Sequence, residues 1–230
     1  MIVDDASKDK SWHYLTSLKD KRIKLIKNKK NLGLAKSLNL ALSKAKGDFI
    51  ARMDSDDISL PKRFEIQMGF LEKNPDTDIC GGWANLIDSQ GKFISIIKKP
   101  TQDAQIKTMN RWITGIIHPT WFVRRKVFSQ LGGYNVKYDL AEDYDFLIRA
   151  KKFQMANIAK VLLLWRSPKD RRSKKNIENM YRQSLAIRWN YFKSGELGLF
   201  YLPFLIRSLI TTYLFPTKLK IFLNQRAGLI

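Results

Sequence analysis

At 230 residues and 44% hydrophobic side chains the chain carries enough apolar matter for one α/β domain with an appended segment, which excludes a disordered or collagen-like polypeptide. Its 42 Lys and Arg against 21 Asp and Glu leave a formal charge of +21, of which the stretch from Arg166 onward, with 13 basic and 3 acidic side chains, supplies +10. Such a field selects a polyanion (nucleic acid, an anionic lipid surface or a diphosphate), while the single cysteine, Cys80, excludes a disulfide framework or cysteine zinc site and fits a reducing cytoplasm.

In chain order, Ile2-Val3 before Asp4-Asp5 reads as the end of a buried strand with an acidic tip, and Ile23 to Ile26 as a second short strand. Beyond Asn31-Leu32-Gly33, the residues Leu34, Leu38, Ala41, Leu42 and Ala45 recur at helical spacing until Gly47 stops the helix. Phe49 to Met53 forms a strand running into Asp54-Ser55-Asp56-Asp57, and Pro61 opens a helix to about Lys73. Ile79 to Ile87 and Phe93 to Ile97 flank the polar turn Asp88-Ser89-Gln90-Gly91 and predict a hairpin. A helix is predicted over Asp103 to Trp112, a strand over His118 to Val123, a helix over Glu142 to Lys152 and a last strand over Val161 to Trp165. The alternation predicts an α/β sheet of mostly parallel strands, whose ligands bind beyond the carboxyl ends. Both acidic clusters, Asp4-Asp5 and Asp54 to Asp57, fall at such ends and are predicted to share one cleft.

Three carboxylates within four residues repel one another unless a hard divalent cation relieves them; a solvated acidic turn in which Asp57 or Ser59 caps the following helix is the plain alternative. Glu142-Asp143, followed by Asp145, opens a helix, where the dipole favours carboxylates and capping alone explains them. One of them serving as a general base is the functional alternative. His118 before Pro119 reads foremost as a structural strand-end residue, Arg52 and Arg63 as surface arginines flanking the acidic turn, and Cys80 as a small core hydrophobe.

Taken together, Ile2-Val3-Asp4-Asp5-Ala6-Ser7, Asn31-Leu32-Gly33-Leu34-Ala35, Gly47-Asp48-Phe49-Ile50-Ala51-Arg52-Met53-Asp54-Ser55-Asp56-Asp57 with Pro61 and Arg63, Gly132-Gly133-Tyr134 and Glu142-Asp143-Tyr144-Asp145 resemble family 2 glycosyltransferases of the GT-A fold. The resemblance runs from residue 2 to 166, in order and with family-like spacing. It implies a Rossmann-like nucleotide-sugar-binding domain and an inverting, metal-dependent transfer of a hexosyl or N-acetylhexosaminyl group to a glycan or lipid-linked hydroxyl in cell-surface polysaccharide synthesis. By the same resemblance Asp5, with Asp4 beside it, reads the uracil of a UDP-sugar, Asp54 lies near ribose or metal, and Asp56 binds Mn²⁺ or Mg²⁺. Asp143 is then the catalytic base with Glu142 its understudy, and Arg166, after Trp165, approaches the diphosphate. Four residues separate Gln183 from Arg188-Trp189, which departs from the Q-x-x-R-W of processive members and implies addition of a single sugar. Family members carry a first strand and helix upstream of the position where Ile2 stands, so the catalytic domain, residues 1–166, is expected to lack a central strand.

Residues 167–230 are expected to form a basic helical tail. Leu197 to Phe215 spans 19 mostly apolar residues, interrupted by Pro203, with Arg207 at its middle costing about 2.5–3.5 kcal/mol in a bilayer. On a helical projection Arg207, Ser208, Thr211 and Thr212 share one arc and Leu205, Ile206, Leu209, Ile210, Tyr213 and Leu214 the other, which predicts an amphipathic helix at an anionic cytoplasmic membrane surface. A helix packed on the catalytic domain is the alternative. A nucleic-acid partner or metal-dependent nuclease is disfavoured, because the basic run Lys169 to Lys175 lacks interleaved aromatics. A catalytically dead fragment is the third alternative.

Overall fold

The computed structural model describes residues 1–166, 176–195 and 198–226, with side chains as far as Leu223. Strand β1 (Ile2–Asp4) runs parallel to β2 (Leu25–Lys27), with helix α1 (Ser11–Ser17) in the crossover. A second sheet has the order β3 (Phe49–Ala51), β7 (Phe122–Arg124), β5 (Ile79–Ile87), β8 (Met155–Arg166), β4 (Ile58–Ser59), with β6 (Phe93–Ile97) paired to β5. Helices α2 (Leu34–Lys44), α3 (Arg63–Lys73), α4 (Asp103–Met109), α5 (Arg125–Leu131) and α6 (Glu142–Arg149) complete the α/β body.

The sheet is mixed rather than mostly parallel. β1–β2 and β5–β8 are parallel, whereas β3–β7, β4–β8, β5–β6 and β5–β7 are antiparallel. The turn between β5 and β6 is the local cause: Asp88 Oδ1 accepts the Gln90 and Lys92 N–H groups at 2.8 and 2.9 Å, and so short a turn allows only an antiparallel return. The strand predicted from His118 begins only at Phe122, because Pro119 lacks an N–H and sits in a 3-10 turn, His118–Thr120. β8 begins at Met155, earlier than Val161; Met155 to Ile158 are all buried, so this stretch shows none of the alternation that marks a one-faced strand.

The core gathers around fully buried Trp121, which lies 5.2 Å from Phe146 between ring centres, with Phe128 and Tyr134 packed on Phe146 at 4.8 and 5.3 Å. Among the described residues no backbone hydrogen bond joins the β1–β2 sheet to β3. The N-terminal unit is held through α2 instead: Ala35, Leu38 and Leu42 pack into the Trp121 core, and the Ala35 N–H donates to Asp139 Oδ1 at 2.8 Å. Asn39 completes the attachment by accepting the Tyr134 N–H and donating to the Tyr134 carbonyl, both at 2.8 Å.

The C-terminal segment folds back on this body. In α7 (Ile177–Lys193), fully buried Ile187 packs among Tyr138, Ala141, Tyr144 and Ile148. Arg188 donates to the Arg111 and Trp112 carbonyls and, at 2.8 Å, to Ser208 Oγ of α8 (Leu202–Tyr213). α9 (Thr217–Arg226) is tied to α7 by Lys220 Nζ, 2.6 Å from Glu178 Oε2. Pro203 does not interrupt α8 but sits in its first turn, where a missing N–H costs nothing. At 12 residues α8 is only about 18 Å long, and no helix among the described residues is long and apolar enough to cross a membrane. Its amphipathicity is inverted: Leu205, Ser208 and Thr212 are buried against the body, while Ile206, Leu209, Ile210, Tyr213 and Leu214 face outward.

Asn39→Ala removes both bonds that pin Tyr134 and is expected to destabilise the protein by about 1–3 kcal/mol. Hydrogen exchange should rise first in residues 2–27, ahead of the β5–β8 pair, when native and variant chains are compared by mass spectrometry.

Candidate active site

A cleft of about 790 Å³ opens between the loop after β3, the N-terminus of α6 and the inner faces of α7 and α8. Arg52, Asp54 and Asp56 enter from the loop, Lys99 from the segment after β6, His118 from the 3-10 turn and Glu142 with Asp143 from α6. Arg188 and Arg207 close it from the C-terminal helices.

Neither Arg52 nor Arg63 is a surface residue; they are 7% and 1% exposed. Arg52 forks onto both oxygens of Asp54, one arm at 2.8 Å. Burial works against its charge, and Asp54, with further help from Glu142, outweighs that and holds the guanidinium ionised. Arg63 lies behind, its Nη2 donating to the Arg52 carbonyl at 2.8 Å and its Nε to Gln67 Oε1 at 2.9 Å, with burial lowering its pKa to about 10. The loop's path is therefore set by two stacked cations. Asp57 does not cap α3: its Oδ1 accepts the Arg166 N–H at 2.9 Å, which fastens the loop to the end of β8. Carboxylate oxygens of Asp54, Asp56 and Asp57 lie within 4.8 Å of one another, a set of hard oxygen donors that suits Mg²⁺ or Mn²⁺. Asp56 is the exposed member.

At the start of α6 the residue before Glu142 is Ala141, which offers no side-chain cap. Helix-terminus stabilisation predicts low pKa values here, and burial overturns that. Glu142 is pushed up to about 8, first by burial and then by the charge of Asp143, while burial also raises Asp143 against the Tyr144 N–H it accepts at 2.7 Å. Asp145 serves the scaffold: it takes Arg149 Nε at 2.8 Å, and the same guanidinium reaches the Leu131 and Gly133 carbonyls. His118 is neutral, its pKa driven well down by burial and by Arg52, with Nε2 2.9 Å from the Tyr134 hydroxyl. Its 3.7 Å approach to Glu142 is accordingly a contact between two uncharged groups near pH 7.

The two acidic clusters do not line one cleft. Asp54, Asp56, Glu142 and Asp143 do, whereas Asp4 and Asp5 stand at the end of β1 outside its lining. Asp5 accepts the Leu32 and Gly33 N–H groups, each at 2.9 Å, and the Asn28 amide at 2.7 Å. Burial works against these bonds but they prevail, so its pKa is lowered. Gly33, with φ 88°, meets Asp139 so closely that a Cβ there would stand 2.7 Å from the carboxylate. Asp5 thus shapes the loop that abuts the cleft wall at Asp139. Arg166 also lies outside the lining; its Nε and Nη1 donate to the Asp56, Asp88 and Ser89 carbonyls at 2.9–3.2 Å and clamp the acidic loop.

Sequence reasoning overlooked Lys99, Arg188 and Arg207. Lys99 is 6% exposed, and burial lowers its pKa to about 8 against the pull of Asp143. Its only signal in the sequence is Lys98-Lys99-Pro100 after a predicted strand, indistinguishable from a solvated basic turn.

A sequence profile described as "Glycosyl transferase family 2" matches residues 1–132. The chain is 37% identical over 155 residues to an uncharacterized glycosyltransferase of Methanocaldococcus jannaschii, covering 65% of this chain but 52% of that protein. It is 31% identical over 206 residues to the amylovoran biosynthesis glycosyltransferase AmsE of Erwinia amylovora, with 86% and 74% covered. A third relative, at 26% identity over 222 residues with 94% and 77% covered, is the Escherichia coli UDP-Gal:alpha-D-GlcNAc-diphosphoundecaprenol beta-1,3-galactosyltransferase. The fold matches S. aureus TarS 1-349 in complex with UDP-GlcNAc at a TM-score of 0.60 and 17% identity, over 82% of this chain and 56% of that one. It also matches the Pyrobaculum calidifontis mannosyltransferase PcManGT in complex with GDP-Man and Mn2+, at 0.58 and 16%, over 99% and 70%.

The raised pKa of Glu142 has a stability consequence. The folded state keeps the proton to about 8 while the unfolded chain releases it near 4.5, so this group stabilises the fold below pH 4.5 and loses that contribution as pH rises through 8. Glu142→Gln should flatten the fall in urea midpoint between those limits, and an unchanged slope would show that Glu142 does not carry the shift.

Proposed function

From the premise that the chain belongs to glycosyl transferase family 2, we propose that it transfers one sugar from a nucleotide-sugar to a hydroxyl of a glycan or lipid-linked acceptor in polysaccharide synthesis, with inversion. The observation that carries this is Asp143, half-buried and raised in pKa, in the same cleft as the Asp54-Ser55-Asp56 loop. A carboxylate lifted toward neutrality is a stronger base than a free aspartate and can take the proton of an acceptor hydroxyl. That oxygen attacks the anomeric carbon, the bond from carbon to the diphosphate oxygen breaks with its electron pair leaving on the diphosphate, and one displacement inverts the centre. Glu142, protonated near neutrality, leaves the negative charge of the pair on Asp143. Asp54, Asp56 and Asp57 would hold Mg²⁺ or Mn²⁺, which offsets charge building on the leaving phosphates. The buried Lys99 ammonium adds positive charge on the cleft wall.

A UDP-linked donor is supported by the name of the Escherichia coli relative and by the UDP-GlcNAc complex of TarS; the GDP-Man complex makes GDP the competing base. In this reading residues 1–166 carry donor and catalytic groups and the C-terminal helices form the acceptor side. The outward apolar face of α8 further supports peripheral association with the inner face of the cytoplasmic membrane.

Asp143→Asn should lower transfer by about 10²–10⁴-fold while calorimetry still detects UDP in the presence of Mn²⁺. Asp56→Asn should instead weaken the nucleotide affinity, and addition of EDTA to the native chain should do the same. Full transfer by Asp143→Asn would remove it as the base.

A further inference from the structure

A second cavity, about 580 Å³, lies on the outer side of α8 and is almost wholly apolar, lined by Leu202, Pro203, Ile206, Ile210 and Phe215 with Leu223 of α9. It is continuous with the catalytic cleft, because Arg207, Thr211 and Leu223 line both. At that junction the Arg207 guanidinium sits 4.7 Å over the Trp112 ring, itself wedged edge-on against Phe204 at 5.0 Å, and meets no carboxylate among the described residues. Around the groove Leu199, Phe200, Tyr213 and Leu214 are 79, 86, 66 and 74% exposed, an apolar surface larger than scattered single residues.

Resting on the transferase reading above, we propose that this groove and Arg207 form an acceptor subsite for a sugar carried on a long-chain lipid diphosphate. The lipid chain lies along α8 in the groove, Arg207 receives the diphosphate, and the sugar extends through the shared opening toward Asp143. Three observations on the page select this occupant. The groove is apolar, so it favours hydrocarbon. Its inner mouth carries a guanidinium with an aromatic support and no acidic partner, and a planar fork of this kind matches phosphate oxygens. The mouth opens into the cleft that holds the base, so an occupant anchored there presents its head group to the chemistry. α8 turns Ser208 and Thr212 inward and its apolar arc outward, which leaves the groove in contact with the phase where a lipid tail resides.

The test is co-flotation of the full chain with phosphatidylcholine vesicles doped with a long-chain polyprenyl diphosphate, against vesicles matched in charge with phosphatidylglycerol. The expected result is tighter binding to the polyprenyl diphosphate vesicles. Arg207→Gln should remove that margin by about 10–100-fold, as loss of a charged phosphate bond implies, and Arg207→Lys should restore part of it. Ile210→Asp, which places a charge in the groove, should weaken vesicle binding without weakening capture of a short, water-soluble isoprenyl diphosphate. Equal binding to both vesicle types, unchanged in Arg207→Gln, would mean a nonspecific basic surface and overturn the subsite. Binding to neither type would overturn it too and give the groove to another protein. UDP binding by the same wild-type preparation reports the transferase reading separately: its loss with diphosphate selectivity intact removes that reading, and the reverse removes only the subsite.

Discussion

The fork between Arg52 and Asp54 is the contact around which the cleft is assembled. Three carboxyl groups, those of Asp54, Glu142 and Asp143, are held close to one buried guanidinium, and each has its charge moderated by it. Removing a partner from such a buried set typically costs about 3–5 kcal/mol, because the remaining charges stay desolvated and uncompensated. Arg63 extends the constraint inward: by holding the Arg52 carbonyl it sets where β3 ends and the acidic loop begins. Arg166 fixes the far end of that loop through Asp57 and the Asp56 carbonyl. The loop is thus clamped at both ends, with Asp56 left exposed between.

The same core that buries Trp121 positions the other half of the site. Phe146 and Leu147 anchor one side of α6 in it, while Tyr144 and Ile148 face α7, so the helix is gripped on two sides and its first turn is driven into the cleft. That placement explains why Glu142 and Asp143 are desolvated despite standing at a helix N-terminus. The dipole favours their charge by about 0.3–1 kcal/mol at exposed sites, and burial exceeds it here. One carboxyl of the pair therefore stays protonated and the other carries the charge, a division that suits a single general base.

The C-terminal helices belong to the site rather than trailing from it. Arg188 replaces solvent with the Arg111 and Trp112 carbonyls and Ser208, so α7 and α8 are joined to the catalytic body through buried polar contacts. With the polar arc of α8 spent on that attachment, its apolar arc is left facing outward. Sequence reasoning weighed a packed helix against a membrane-facing one, and the geometry satisfies the packing while leaving an apolar surface.

How much was legible in the sequence follows from the kind of interaction involved. The Asp54-Ser55-Asp56 turn, the Glu142-Asp143 pair, helix α2 and the β5–β6 hairpin with its bounds were readable because local spacing, turn chemistry and motif order encode them. Pair direction in the sheet, the early start of β8 and the burial of Arg52 and Arg63 were not, since each depends on what another part of the chain places against it. The same holds for the site: the sequence alone determined which carboxylates are present and in what order. Only the tertiary structure decided that Asp5 shapes a loop, that Arg166 clamps one, and that Lys99 and Arg207 reach the cleft. Charge and spacing are properties of neighbours along the chain, whereas desolvation and shared cavities arise only when distant segments meet.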